Sequence, residues 1–271
     1  MGDFGNKSID LRTRRIAALL NKSSGQCDAQ CEDKLNAALR DAGLVAETIA
    51  AVEGREIDAA LRDIVRSKPD ILIVLGGDGT IRTAAETCGK AKIALMPLPG
   101  GTMNMLPRAI YGDRTWLEAL SATLAAPALR PIGGGEVGEH RFFCAGIFGS
   151  PALWAAAREA AREKRVAEVV RRALAAFAKR FSRKIRYEFG PSASGTAEAV
   201  AVLCPLISKS LSSAAGVLEA AALDLDSSLA AFRLALNALF ADWRSDEGVS
   251  TAPTPLVRLS SRGGIDRKST V

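Results

Sequence analysis

A continuous aliphatic run that ends in a glycine-rich turn limits most strongly how this chain can fold. Residues 71–75 read Ile-Leu-Ile-Val-Leu, which predicts a β-strand buried on both faces. The run stops at Gly76-Gly77-Asp78-Gly79-Thr80, and apolar residues at helical spacing begin with Ile81. The pattern predicts a strand, a tight turn and a helix, with Thr80 as the N-cap and Gly89 as the stop.

The composition of this turn is suited to a phosphate group. Its glycines let backbone N–H groups approach a ligand closely, and the helix dipole places positive potential at the same point. The Asp78 carboxylate would repel a phosphate unless a cation or a hydroxyl proton lay between them. Both arrangements occur in phosphoryl transfer, where Mg²⁺ bridges phosphates or an acceptor alcohol gives up its proton. The alternative is a structural turn capped by the aspartate.

Two further turns follow predicted strands in the first half of the chain. Asn21-Lys22-Ser23-Ser24-Gly25 follows the aliphatic residues 16–20, and residues 97–104 follow a strand predicted over 92–96. Strands that alternate with helices predict an α/β layer with a mostly parallel sheet. Because ligands of such sheets lie at the carboxyl ends of the strands, we expect the three turns to converge.

Strand patterns dominate the second half. The expected organisation is an N-terminal tail, an α/β domain, a strand-rich β-sandwich-like domain and a candidate non-native tail, over residues 1–13, 14–128, 129–265 and 266–271. Two helices are predicted within the second domain, at 151–181 and at about 227–241.

Positive charge is concentrated in the first of these helices and just after it. The net charge of the chain is +6, and residues 158–186 contain eleven Lys and Arg against three Glu. A solvated helix with an apolar stripe would account for this pattern. The charge also suits an anionic membrane surface, at about 1 kcal/mol per nearby cation. Nucleic acid is not expected, because this segment has almost no aromatic residues to stack bases.

Other function classes find little support in the sequence. Residues 1–15 lack the apolar core of a secretory signal, and no apolar run is long enough to span a bilayer. The single histidine, His140, does not suggest a catalytic triad, and there is no Walker A motif. Residues 133–138 fit G-x-G-x-x-G, but no helix pattern follows them, so a glycine-rich hairpin is expected. The five cysteines show no zinc-type pairing, and we expect reduced thiols.

The three turns resemble, in order, motifs of the diacylglycerol kinase and sphingosine kinase superfamily of lipid kinases. Residues 76–80 match its Gly-Gly-Asp-Gly-Thr signature, residues 101–109 its Gly-Thr-x-Asn segment, and residues 21–25 its first nucleotide-side turn. The resemblance is good over residues 14–150 and weak beyond. It implies a nucleotide-binding α/β domain, a β-sandwich-like second domain, ATP and Mg²⁺ as cofactors, and a lipid alcohol as acceptor.

The resemblance also implies roles for individual residues. Asp78 is expected to be catalytic and to position the metal or the acceptor. The expected nucleotide-binding residues lie on the three turns: Asn21, Ser24, Gly25, Gly76, Gly77, Gly79, Thr80, Gly101, Thr102 and Asn104. For Asn21, a cap at the entry to the next helix is an alternative. No metal ligands can be named.

Several positions depart from the family pattern. Ile81-Arg82-Thr83 stands where the family has Ile-Asn-Glu, and Ala215 replaces an acidic residue, leaving only Glu219 nearby. The Asp-Gly-Glu expected as acid-base element is absent after Ile265. Residues 266–270 resemble a translated sequencing adapter, so we expect an incomplete gene product that lacks part of the second domain.

The leading hypothesis is an ATP- and Mg²⁺-dependent lipid kinase, cytoplasmic and peripherally associated with the membrane. NAD kinases share the Gly-Gly-Asp-Gly turn and are the enzymatic alternative, although their usual Asn-x-Gly-x-x-Gly-Phe segment is not seen. Further alternatives are an inactive nucleotide-binding relative and, less favoured, a basic protein that binds membranes or nucleic acid.

Overall fold

The computed structural model describes residues 7–149, 185–191, 193–208, 211, 216–223, 249–260 and 267–270. The chain divides into two compact units, Met1–Cys144 with Thr270–Val271, and Ala145–Ser269. The helices predicted at 151–181 and 227–241 lie outside the described residues.

The first unit alternates strands and helices as predicted. Its elements are β1 (Lys7–Ser8), β2 (Ile16–Asn21), α1 (Cys31–Asp41), β3 (Ala46–Val52), α2 (Ile57–Ser67), β4 (Ile71–Gly76), α3 (Asp78–Ala91), β5 (Ala94–Pro99), α4 (Met105–Tyr111), α5 (Trp116–Ala125), β6 (Ala128–Leu129), β7 (Gly135–Val137) and β8 (His140–Phe142). Single 3-10 turns lie at Leu11–Thr13 and Gly54–Glu56.

A four-stranded parallel sheet forms the centre of this unit. Its strand order is β3-β2-β4-β5, and Ile71 of β4 is in register with Ile16 of β2 and Ala94 of β5. Every residue of β2 and β4 is buried, as expected for central strands covered by helices on both faces. The carboxyl ends of β2, β4 and β5 therefore reach the same edge of the sheet.

The second unit is built from antiparallel strands. They are β9 (Ala145–Gly149), β10 (Ile185–Phe189), β11 (Ala193–Ala197), β12 (Ala199–Leu203), β13 (Leu218–Leu223), β14 (Val249–Thr254), β15 (Val257–Ser260) and β16 (Arg267–Thr270). They form one sheet in the order β14-β13-β12-β9-β16 and another in the order β11-β10-β15. The expected fold class, a parallel α/β unit followed by a strand-rich unit, is confirmed.

The structure corrects three local predictions. Helix α3 begins at Asp78 with Gly77 as its N-cap, three residues before the expected cap at Thr80. It continues through Gly89 to Ala91, and Lys92 caps its C-terminus in the left-handed conformation. Cys27 and Cys31 form a disulfide and are not the expected thiols. Their Cα atoms are 5.4 Å apart, within the range that a disulfide can bridge.

No helix among the described residues is long and apolar enough to cross a bilayer.

Candidate functional site

The three turns meet at the carboxyl edge of the parallel sheet. We name them the first turn (residues 21–27, after β2), the second turn (76–80, between β4 and α3) and the third turn (99–105, between β5 and α4). Each pair of turns is joined by hydrogen bonds. The sequence prediction that these turns converge is therefore correct.

A buried side-chain hydrogen bond joins the first turn to the second. The Nδ2 atom of Asn21 donates to the Thr80 hydroxyl oxygen at 2.9 Å, and both residues are under 10% exposed. The Asn21 carbonyl oxygen Oδ1 accepts the Ser23 N–H at 2.9 Å, which folds the first turn back on itself. Asn21 is thus not a helix cap, since α1 begins ten residues later at Cys31.

The first turn is closed from within by Ser24. The Ser24 hydroxyl donates to the Asn21 carbonyl at 2.7 Å, and Cys27 N–H donates to the Ser24 carbonyl at 3.0 Å. The Gln26 N–H, one residue before Cys27, donates to the Gly100 carbonyl at 3.0 Å. This last bond attaches the first turn to the third.

The second and third turns pack backbone against backbone. Gly100 N–H donates to the Gly76 carbonyl at 2.9 Å, which extends the β4–β5 ladder beyond the strand ends. A Cβ on Gly100 would lie 2.7 Å from the Gly76 nitrogen, and a Cβ on Gly101 would lie 2.7 Å from the Gly77 Cα. Only glycine allows this approach, because real Cβ atoms do not come within 3.0 Å of backbone.

Asp78 binds the N-terminus of α4. Its two carboxylate oxygens accept the backbone N–H groups of Met105 at 2.7 Å and Asn104 at 3.1 Å. A carboxylate is favoured at this position, since the first N–H groups of a helix have no partner within the helix. Asp78 is half-buried, and each carboxylate oxygen keeps a lone pair that these two bonds do not use.

Asn104 fixes the shape of the third turn. It adopts the left-handed conformation, with φ of 49°, which asparagine tolerates better than most residues. Its side chain accepts the Gly101 N–H and donates to the Gly101 carbonyl, both at 2.8 Å. The buried amide therefore holds Gly101 against the second turn.

The remaining predicted site residues lie at the open side of the cluster. Gly25, Gly79 and Thr102 are exposed, and a Cβ placed on Gly25 or Gly79 meets no atom within 4 Å. This leaves room for a ligand to reach the N-terminal turn of α3. The Thr80 hydroxyl oxygen accepts from Asn21 and keeps its own proton to donate.

Covalent chemistry on a thiol is not indicated near the turns. Cys88 lies on α3, and burial raises the pKa of its thiol to about 12. A thiol that stays protonated at neutral pH is a poor nucleophile.

The described residues do not form a metal site on their own. Across the described ranges, no group of three or more His, Cys, Asp or Glu side chains is placed to hold a metal. Glu219, the acidic residue expected near Gly216, is 1% exposed on β13, and Ser208 donates a 2.5 Å hydrogen bond to it. A divalent ion at the turns would need most of its ligands from nucleotide phosphates and water, as Mg²⁺ commonly does.

Two contributors to the site were not among the predicted residues. Gly100 bonds to both other turns, and the Met105 N–H binds Asp78. The double glycine at 100–101 was a visible signal for close backbone contact. The backbone contribution of Met105 has no signal in its side chain.

Comparison with known proteins finds a family model that spans all three turns. Residues 15–137 match the family model for the diacylglycerol kinase catalytic domain. A crystal structure of a presumed diacylglycerol kinase from Bacillus anthracis str. Sterne has a TM-score of 0.67 and 17% identity, over 96% of this chain and 92% of that one. A diacylglycerol kinase structure from the same organism gives 0.66 and 14% identity, over 95% and 90% of the two chains. A third presumed diacylglycerol kinase from this organism gives 0.66 and 16%, over 96% and 92%.

At such low identity the structural likenesses show the fold, and the family model adds the sequence match over residues 15–137. Together they bear out, over residues 15–137, the resemblance to the diacylglycerol kinase superfamily that the three turns predict.

Proposed function

We propose that the chain is an ATP-dependent lipid kinase that transfers the γ-phosphoryl group of ATP to a lipid hydroxyl such as that of diacylglycerol. The convergence of the three turns is the observation that carries this proposal. It brings a glycine-lined helix N-terminus, four buried polar side chains and one half-buried carboxylate to one edge of the sheet.

Each turn has a distinct part in binding ATP. The backbone N–H groups around Gly77 and Gly79, with the Thr80 hydroxyl, would receive the phosphates at the positive end of the α3 dipole. Asn21, Ser24 and Gly25 would line the nucleotide on one side, and Gly101 and Thr102 would complete the cleft on the other. Asn104 orders the cleft through its bonds to Gly101.

Asp78 would act at the boundary between phosphate and acceptor. Mg²⁺ bound with ATP would neutralise phosphate charge, and Asp78 is the first residue of α3, between Gly77 and Gly79 of the proposed phosphate-binding backbone. Because two N–H groups already orient the carboxylate, it can face the metal or the acceptor hydroxyl without further ordering.

A lipid acceptor implies that the enzyme acts at a membrane surface. We infer a cytoplasmic protein that associates peripherally with anionic membranes through the basic segment at 151–181. The support is the local charge, eleven Lys and Arg against three Glu over residues 158–186.

The direct test is phosphate transfer from labelled ATP to diacylglycerol in mixed vesicles with Mg²⁺, beside sphingosine and NAD as rival acceptors. Labelled lipid product is expected. Transfer to NAD with none to lipid would contradict the proposal, as would ATP binding without turnover on any lipid.

Asp78→Asn tests the role of the carboxylate. Asparagine is close to aspartate in shape, but it loses the charge and one of the two acceptors for the α4 N–H groups. A fall in kcat of about 100-fold or more, with the KM for ATP changed far less, is expected for a group that acts on the reacting atoms. A lowered melting temperature with unchanged kcat would instead restrict Asp78 to anchoring α4.

A further inference from the structure

A cavity lies at the opposite edge of the parallel sheet from the three turns. Its volume is about 550 Å³, within the usual range for small-molecule sites. Ile71 and Ala94, the first residues of β4 and β5, line it, whereas the turns follow the last residues of these strands. The six residues of β4 thus separate the two places by roughly 17 Å.

The charged residues that line this cavity are mostly cationic. Arg14, Arg15, Lys68 and Lys92 line it, against a single carboxylate, Asp70. Asp70 is already paired with Arg15, because its Oδ2 accepts the Arg15 N–H at 2.8 Å and lies 3.6 Å from the guanidinium Nε. This pairing holds the pKa of Asp70 below its ordinary value. Three cations, Arg14, Lys68 and Lys92, therefore remain in excess.

The net charge around the cavity indicates the charge of the anion that it can neutralise. Lys68 and Lys92 cap the C-termini of α2 and α3, and each helix end contributes about half a negative charge. Three side-chain cations less about one unit of helix-dipole charge leave a net charge of about +2. That value matches a phosphate monoester, which carries about −1.5 to −2 at neutral pH, better than a single carboxylate.

The two lysines are also held in an unfavourable backbone conformation. Lys68 and Lys92 have φ of 50° and 57°, in the left-handed region where glycine is the usual helix C-terminal residue. Among the described residues, the other non-glycine residue with positive φ is Asn104, which shapes the third turn. Strained residues of this kind are concentrated at functional sites, and both lysines line the same cavity.

The other walls of the cavity are apolar. Ile9, Ile71 and Ile93 line them, together with Leu129, which is 38% exposed although it is a large aliphatic residue. The ribbon formed by β1 and β6 carries Leu129 to this position, where Lys7 is its partner in register. A ligand that fills the cavity would cover this leucine with an apolar part, while the charged part of the same ligand contacts the cations.

We propose that this cavity is a binding site for a small amphiphilic phosphate monoester, separate from the three turns. Its phosphate lies among Arg14, Lys68 and Lys92, and its apolar body lies on the isoleucine and leucine walls. The site does not depend on the proposed kinase function.

The test measures binding of octyl phosphate to the full chain by titration calorimetry, in saturating ATP so that the three turns are occupied. Saturable binding with one site is expected. Octanol tests the need for the charge, and inorganic phosphate tests the need for the apolar body; each is expected to bind at least about tenfold more weakly.

The decisive variant is Lys68→Gly with Lys92→Gly. Glycine relieves the left-handed backbone, so the melting temperature should be unchanged or higher, which separates loss of the site from loss of the fold. Octyl phosphate affinity should fall about tenfold or more, because two charge-assisted contacts are removed. The matched control is Arg66→Gln with Lys90→Gln, which removes two exposed cations of the same helices from outside the cavity and should bind as the parent does.

Unchanged octyl phosphate affinity in the double glycine variant would overturn the proposal, as would equal loss in the control. If inorganic phosphate bound as tightly as octyl phosphate, the claim that the ligand is amphiphilic would be overturned, and free phosphate would be the ligand.

Discussion

The buried contact between Asn21 and Thr80 is the clearest single-residue determinant of the site. Asn21→Ala removes the donor at 2.9 Å and with it the side-chain hydrogen bond that joins the first turn to the second. We expect a loss of about 1–2 kcal/mol in the free energy of unfolding, the usual cost of a buried bond with one partner removed. The KM for ATP should rise as well, since the turns lose their relative position.

Thr80→Ser is the matched control, because it keeps the hydroxyl and should retain most of the stability. Denaturant unfolding and ATP kinetics measure both effects. If Asn21→Ala unfolds as easily as the parent chain and keeps its KM, the hydrogen bond does not organise the site.

Gly101 tests the close contact between the second and third turns. Gly101→Ala places a Cβ 2.7 Å from the Gly77 Cα, and backbone cannot move aside as a flexible side chain can. We expect a lower melting temperature and weaker ATP binding. Gly54→Ala is the control, because the nearest atom to its Cβ is the Ser23 hydroxyl oxygen at an ordinary 3.8 Å. Equal melting temperatures for the two variants would show that the turns can separate without cost.

At the scale of elements, helix α3 contains an interior glycine that no close contact requires. Gly89 lies inside the helix, and a Cβ there would meet only the Arg141 guanidinium, at 3.8 Å. Gly89→Ala should therefore raise the free energy of unfolding by up to about 1 kcal/mol, the difference in helix propensity. Thermal unfolding measures the change, and destabilisation would mean that the Arg141 side chain cannot adjust.

Helix α5 begins with a reciprocal cap that makes its stability depend on pH. Thr115 N–H and hydroxyl donate to the Glu118 carboxylate, each at 2.8 Å, and the Glu118 N–H donates back to the Thr115 hydroxyl. These bonds lower the pKa of Glu118 from its ordinary 4.5. Because the folded pKa is the lower one, the stabilising effect is present above pH 4.5 and is lost as the pH falls through the folded value.

Glu118→Gln is the variant that measures this effect. Its melting temperature should be below that of the parent chain at pH 7, and the two should approach each other as the pH falls toward 3. A difference that stays constant over this range would exclude the titration of Glu118 as its source.

The sequence predicted elements well wherever local pattern and tertiary context agree. The aliphatic run at 71–75 forms β4, and the aliphatic residues 16–20 form β2, which extends one residue further to Asn21. The prediction was wrong at the start of α3, where Thr80 is drawn to Asn21 from another turn and the helix begins earlier. Such a contact spans 59 residues, so no local pattern could reveal it.

At the scale of the whole molecule, the predicted order of a parallel α/β unit and a strand-rich unit is correct. The convergence of the turns could also be predicted, because parallel strands bring their carboxyl ends to one edge. The cationic cavity could not, since Arg14, Lys68 and Lys92 are far apart in sequence and gather only when β2, β4 and β5 align. Both outcomes follow from the same sheet, which joins distant residues at each of its edges.

The five cysteines allow a test of this fold that does not depend on function. Cys27 and Cys31 are paired, whereas Cys88, Cys144 and Cys204 are buried thiols. Denatured protein without reductant should therefore show three titratable thiols, and denatured reduced protein five. Native protein should react slowly at pH 8, because a thiol must be both exposed and ionised to react, and burial raises the pKa of Cys88 to about 12. Five thiols before reduction would show that the pair is open, and fast labelling of the native chain would contradict the burial of the other three.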